Sequence, residues 1–162
     1  AAGGIPMDTN GGYETGWYWY SGGQSTLPWV NVGSFRDYVA APRVSGLVAV
    51  ADAPYFSGET GDIITMGVDE PANHTTVILD TITDENGNVV DYLLCSNTAD
   101  LRNFPASAYY YTNRQLIRII GWNDRSPPIW TRSAISSGPP TLPVARPATD
   151  IRWWTAAPLP WL

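Results

Sequence analysis

The chain has no lysine at all, one histidine and one cysteine, and none of its apolar runs approaches membrane length. Each scarcity excludes something. A single cysteine, Cys95, cannot form an internal disulfide, so the fold has no covalent staple. One histidine and one cysteine, without carboxylates clustered at ligand spacing, do not make a metal site, and no cofactor motif is present. The nine basic residues are all arginine, scattered among fifteen acidic ones, for a net charge of −6. Nucleic-acid affinity rests on clustered lysine and arginine, so no nucleic-acid partner is expected. The absence of any run of about 18 apolar residues excludes a membrane-spanning helix, and no charged segment followed by an apolar one marks an export signal at the amino end.

At 162 residues with 44% hydrophobic content, the length suits one ordinary domain with appendages. Eight tryptophans and nine tyrosines outnumber three phenylalanines. Such amphipathic rings favour sheets and binding surfaces over an all-helical core.

Along the chain, "AAGGIPMD" reads as the carboxyl end of a helix, with small residues, glycines and a proline stop. The aromatic run Trp17 to Tyr20, bounded by glycines, reads as a short strand or ordered loop. "PWVNVGSFRDYVAAPR" predicts a helix over 31–41, capped by Asn31, ended by Pro42, and with Val32, Phe35, Val39 and Ala40 at helical spacing. "DIITMGV", "HTTVILDTI", "NVVDYLLCS" and "RQLIRIIGW" are strand-length β-branched or apolar runs, the second and third joined by an Asn86-Gly87 turn. Residues 46–56 offer a further strand or a connection. The sequence therefore predicts an α+β fold: an antiparallel meander with one packed helix over 1–125. From Ser126 onward, eight of the fourteen prolines fall in an extended tail, 126–162, which also holds Trp130, Trp153, Trp154 and Trp161. Assembly through that tail is one expectation.

His74 opens a predicted strand, Asp62 opens the one before it, and Ser96-Asn97-Thr98 closes the one after. A hairpin brings residues near 74 and 97 to one end of the sheet. A histidine held by a polar neighbour is what a thiol or hydroxyl nucleophile requires: a base in reach, fixed in one tautomer. A lone histidine at a strand end equally fits a surface residue. Asn73-His74-Thr75 also matches a glycosylation acceptor triplet, which carries weight only in a eukaryotic secretory setting.

"AAGGIPMD", "PWVNVGSFRDYV", "GDIITMGVDEPANHTTVILDTI", "LLCSNTADLRN" and "IRIIGW", in this order over residues 1 to about 120, resemble the putative amidase domain family of bacterial secreted and cell-wall proteins. That family is similar to the NlpC/P60 and papain-like cysteine hydrolases. The resemblance implies a cysteine nucleophile at the start of a helix, His74 as base, and a polar residue on the next strand as its orienter. That orienter falls on Asn97, where the family more often has a histidine, and Asp100 and Arg102 are weaker candidates. It further implies peptide or peptidoglycan amides as substrates and a bacterial secreted or cell-surface location. The nucleophile helix would directly precede "AAGGIPMD", so the expected catalytic cysteine is missing here and would come from a preceding segment or second polypeptide. Cys95, in the apolar run "DYLLCS", reads as a buried structural thiol. The other reading is an inactive interaction module gripping a protein partner, or stacking on sugars, through its Trp/Tyr-rich surfaces and tail.

Overall fold

In the computed structural model, residues 5–43, 45–68 and 72–123 are described. The expected helix end at 1–4 and the tail from 126 lie outside them. A small hairpin, β1 (Trp19–Ser21) and β2 (Gln24–Ser25), precedes two consecutive short helices, α1 (Leu27–Val30) and α2 (Val32–Ala40). Six strands then build the body: β3 (Gly46–Ala53), β4 (Ile63–Gly67), β5 (His74–Thr83), β6 (Val89–Ser96), β7 (Leu101–Pro105) and β8 (Asn113–Asn123).

The sheet is antiparallel, in the order β3-β8-β4-β5-β6-β7. The expected meander holds for β4 to β7, with β7 a strand that the pattern does not announce. β8 departs from it, crossing back to insert between β3 and β4, so its register with Ile63 to Gly67 brings Arg114 opposite Met66. Between β5 and β6 the Asn86-Gly87 turn forms as its sequence predicts. Gly87 takes φ +82°, and the Asp84 carboxylate accepts the amides of Asn86 and Asn88 at 2.9 and 2.8 Å.

Strand alternation sorts the apolar side chains onto two faces. One carries Ile64, Met66, Ile78, Tyr92, Leu94 and Leu116, closed over by Ala106 and the rings of Tyr55, Tyr109 and Tyr111. The other carries Leu47 and Ile117, against which α2 lays Tyr38 and Val39 and the amino-terminal segment lays Ile5. Burial of each such side chain stabilises the fold by roughly 1.5–3 kcal/mol.

The predicted helix is present, and Asn31 caps it by accepting the Ser34 amide at 2.9 Å. Its inner face differs in one position. Ala40 is exposed, and Tyr38 is buried because its hydroxyl finds a partner, donating to Asp8 Oδ2 at 3.3 Å. Asp8 also accepts from Ser45 Oγ at 2.8 Å, so a buried carboxylate ties the amino-terminal segment to the start of β3. Burial and the neighbouring Asp8 charge push the Tyr38 phenol well above its usual range.

Candidate active site

His74 is the first residue of β5 and pairs with Met66 of β4, which in turn pairs with Arg114 of β8. Directly opposed residues share a face, so the imidazole, Met66 and Arg114 form a row across three strands. Ser96, the last residue of β6, stands on the same face, diagonal to His74. Its Oγ lies 3.3 Å from His74 Nε2.

The Ser96 hydroxyl has one proton, and it is directed at the Thr98 carbonyl at 3.0 Å. Toward the ring it can therefore only accept, which assigns the proton to Nε2 and leaves Nδ1 with a free lone pair. The turn after β6 makes this contact. Ala99 and Asp100 sit in the left-handed region, φ 63° and 47°, a conformation that costs a non-glycine residue of order 1 kcal/mol and folds the chain back on Ser96.

Two tyrosines close over the imidazole from the segment leading into β8. Tyr109 and Tyr111 each place their ring centroid 5.6 Å from that of His74, and they stack on each other at 5.9 Å and 17°. Phe104 of β7 meets Tyr109 edge-on at 5.0 Å. This enclosure pushes the His74 pKa below its ordinary 6.5, because burial disfavours the imidazolium. The ring is thus neutral at pH 7, the state a base must be in to take a proton. The Tyr109 hydroxyl is buried without a hydrogen-bond partner among the described residues, on a ring that packs against the imidazole.

The other residues singled out from the sequence are placed as follows. Asn97 lies at the same end of the sheet as His74, but its side chain is exposed and makes no hydrogen bond to the ring; its carbonyl accepts the Asp100 amide. Asp100 is exposed in the turn, and Arg102 is exposed on β7. Asp62 is at the far end of β4, where its carbonyl accepts the Ile78 amide. Its buried carboxylate accepts from the Ile119 amide at 2.7 Å, the Glu59 amide at 2.9 Å and Arg118 Nε at 3.3 Å. It braces β8 and never meets His74. Burial still pushes its pKa up, against those three donors.

Cys95 precedes Ser96 and so points to the opposite face, away from the imidazole. It is half-buried rather than buried, and that burial pushes its thiol pKa up, with Arg102 pulling the other way. A thiol so placed is not an activated nucleophile. Among the described residues no cluster of three or more histidine, cysteine or acidic side chains could hold a metal ion, and no helix is long and apolar enough to cross a membrane.

Tyr109, Tyr111 and Ser96 carry no motif of their own. The signal that could have found the tyrosines is register: three consecutive tyrosines run into the strand whose first residues lie two strands from His74, across β4.

A predominantly antiparallel α+β domain thus sets a hydroxyl-contacted, half-buried histidine at one end of its sheet. The comparison with protein families is specific: residues 1–120 match the putative amidase domain, and the chain belongs to that family. No curated protein and no solved structure gives a significant match.

Proposed function

We propose that this chain is the histidine-bearing portion of a bacterial amidase-like cysteine hydrolase of NlpC/P60 or papain-like character. On this reading it acts outside the cytoplasm on peptide or peptidoglycan amide bonds. Membership of the putative amidase family supports the reaction class. The observation that carries the role of His74 is its contact with Ser96, which leaves Nδ1 as the free base.

A thiol presented to Nδ1 loses its proton to the ring and attacks the amide carbonyl. The oxyanion is held by donors at the site, and the imidazolium returns its proton to the departing amine. Water then cleaves the thioester, with the same nitrogen as base. Ser96 takes the orienting role in this scheme, next to the Asn97 that family resemblance selects. The chain's one cysteine is on the other face, so the nucleophile comes from outside these 162 residues. It must approach the face formed by Ser96, Tyr109 and Tyr111.

The test is peptide mapping of the native material by mass spectrometry, followed by labelling with a thiol-reactive amide probe. A co-purifying cysteine-bearing segment, labelled in the wild type and not in His74→Ala, is the expected result. Native material with no such segment would sink the hydrolase reading.

One observation favours a second reading, an interaction module without catalysis. Tyr13 and Tyr20 are 61% and 57% exposed, and Tyr20 packs beside Tyr18 at 5.3 Å on the β1-β2 hairpin. Tyrosines presented in this way are the residue type that anchors protein interfaces. The same mapping separates the two readings, since a module needs no thiol partner.

A further inference from the structure

Arg114 takes no part in the chemistry proposed above, yet its hydrogen bonds run to the two residues whose rings enclose His74. Its guanidinium donates through Nε to the Tyr111 carbonyl at 3.0 Å and through an Nη to the Tyr109 carbonyl at 2.8 Å. Those are the two residues whose rings both stand 5.6 Å from the imidazole. A planar fork can span two carbonyls in one fixed geometry, which a flexible ammonium cannot. Arg114 is itself half-buried, held in place by the β8 pairing that sets it opposite Met66. It also lies beside the Tyr55 phenol on the same face.

We propose that Arg114 is a positioning residue for the base: by holding the backbone of Tyr109 and Tyr111 it fixes both rings over His74, and so controls how far water reaches the imidazole. The inference rests on His74 being the base and deepens that reading by naming what regulates the ring's environment. The ionisable groups around the ring are the phenols of Tyr109 and Tyr111 and, two strands away, Arg114 itself. Burial, rather than any of these charges, is the cause acting on His74. Loosening the tyrosines should therefore raise its titration midpoint toward 6.5.

The experiment is NMR titration of the full chain, whose only histidine gives one unambiguous imidazole signal. Arg114→Gln, Arg114→Lys and Tyr111→Ala would be compared with the wild type, with folding checked from the amide spectrum. The proposal expects all three to shift the midpoint upward, toward the ordinary value of 6.5. The lysine variant keeps the charge, so its shift reports the lost fork. A shift in Arg114→Gln without one in Arg114→Lys would mean the charge acts directly, which overturns the positioning role. A shift in Tyr111→Ala with neither arginine variant moving would overturn it equally. If Arg114→Gln fails to fold, the lysine variant alone decides. Because the readout is titration and not turnover, a chain without hydrolase activity can still confirm or refute the inference.

Discussion

Ser96 Oγ stands 3.3 Å from His74 Nε2 while its own proton points to the Thr98 carbonyl, so the hydroxyl accepts from the ring and fixes which nitrogen is free. This pair separates two neighbouring residues by experiment. Ser96→Ala should lower turnover of the complete assembly by about tenfold, the worth of one orienting hydrogen bond of ~1.4 kcal/mol. Asn97→Ala, at an exposed position off the ring, should change it by less than about twofold if Ser96 alone orients the base. The two rate constants, measured side by side, check the assignment. A larger loss in Asn97→Ala would return the orienting role to that residue.

The depressed His74 pKa fixes a sign for stability against pH. The folded state holds the imidazole neutral more firmly than the unfolded chain does, so protonation favours unfolding. The contribution from this residue is fully present above the unfolded value of 6.5 and is lost as pH falls through the lower folded value. Chemical denaturation at a series of pH values from about 7.5 to 5 should show stability declining, and the His74→Gln variant should flatten that slope.

Gly46 cannot be replaced without strain. It sits at φ +80°, and a β-carbon there would meet the Tyr38 hydroxyl and lie 2.8 Å from Asp8 Cβ. Gly46→Ala is expected to destabilise by about 2 kcal/mol or more, combining left-handed backbone strain with overpacking. The denaturation midpoint measures it.

Asp62 should prove structural. Asp62→Ala leaves the Ile119 and Glu59 amides without their acceptor and takes away one of the two carboxylates that Arg118 meets, at a cost of about 3 kcal/mol. Asp62→Asn keeps a carbonyl oxygen and should lose less. The raised pKa gives it the opposite sign from His74: its contribution is present below the ordinary carboxylate value of 3.8 and declines as pH rises through the folded value. Neither variant should alter the titration of His74, at the other end of the sheet.

The sequence made legible what local chemistry decides. The Asn31 cap, the Asn86-Gly87 turn and the β-branched runs each name their element without tertiary help, which is why α2 and strands β4, β5, β6 and β8 lie where the patterns put them. Pairing order was not legible. Nothing in "RQLIRIIGW" says that β8 inserts beside β4, and without that register Arg114 and the tyrosines have no visible connection to His74. β7 is hidden because it is only five residues long and carries no alternating pattern. Tyr38 was missed because a tyrosine on a helix face is ambiguous until a buried partner, here Asp8, is placed beside it. The sequence pattern did bring His74 and the end of the next strand to one end of the sheet, as the structure has them. The resemblance put the orienter on Asn97, whereas the contact with the ring is made by Ser96, because which of the two points to the ring depends on strand parity and on the left-handed turn at Ala99 and Asp100.

Whether His74 is the base of an amide hydrolase is decided by turnover of peptidoglycan-derived amide substrates by the native assembly, wild type against His74→Gln. Hydrolysis by the wild type and a loss of about a hundredfold or more in the variant, with the fold intact, is the expected result. Unchanged turnover in His74→Gln, or no hydrolysis by wild-type material that contains the cysteine-bearing partner, would contradict it.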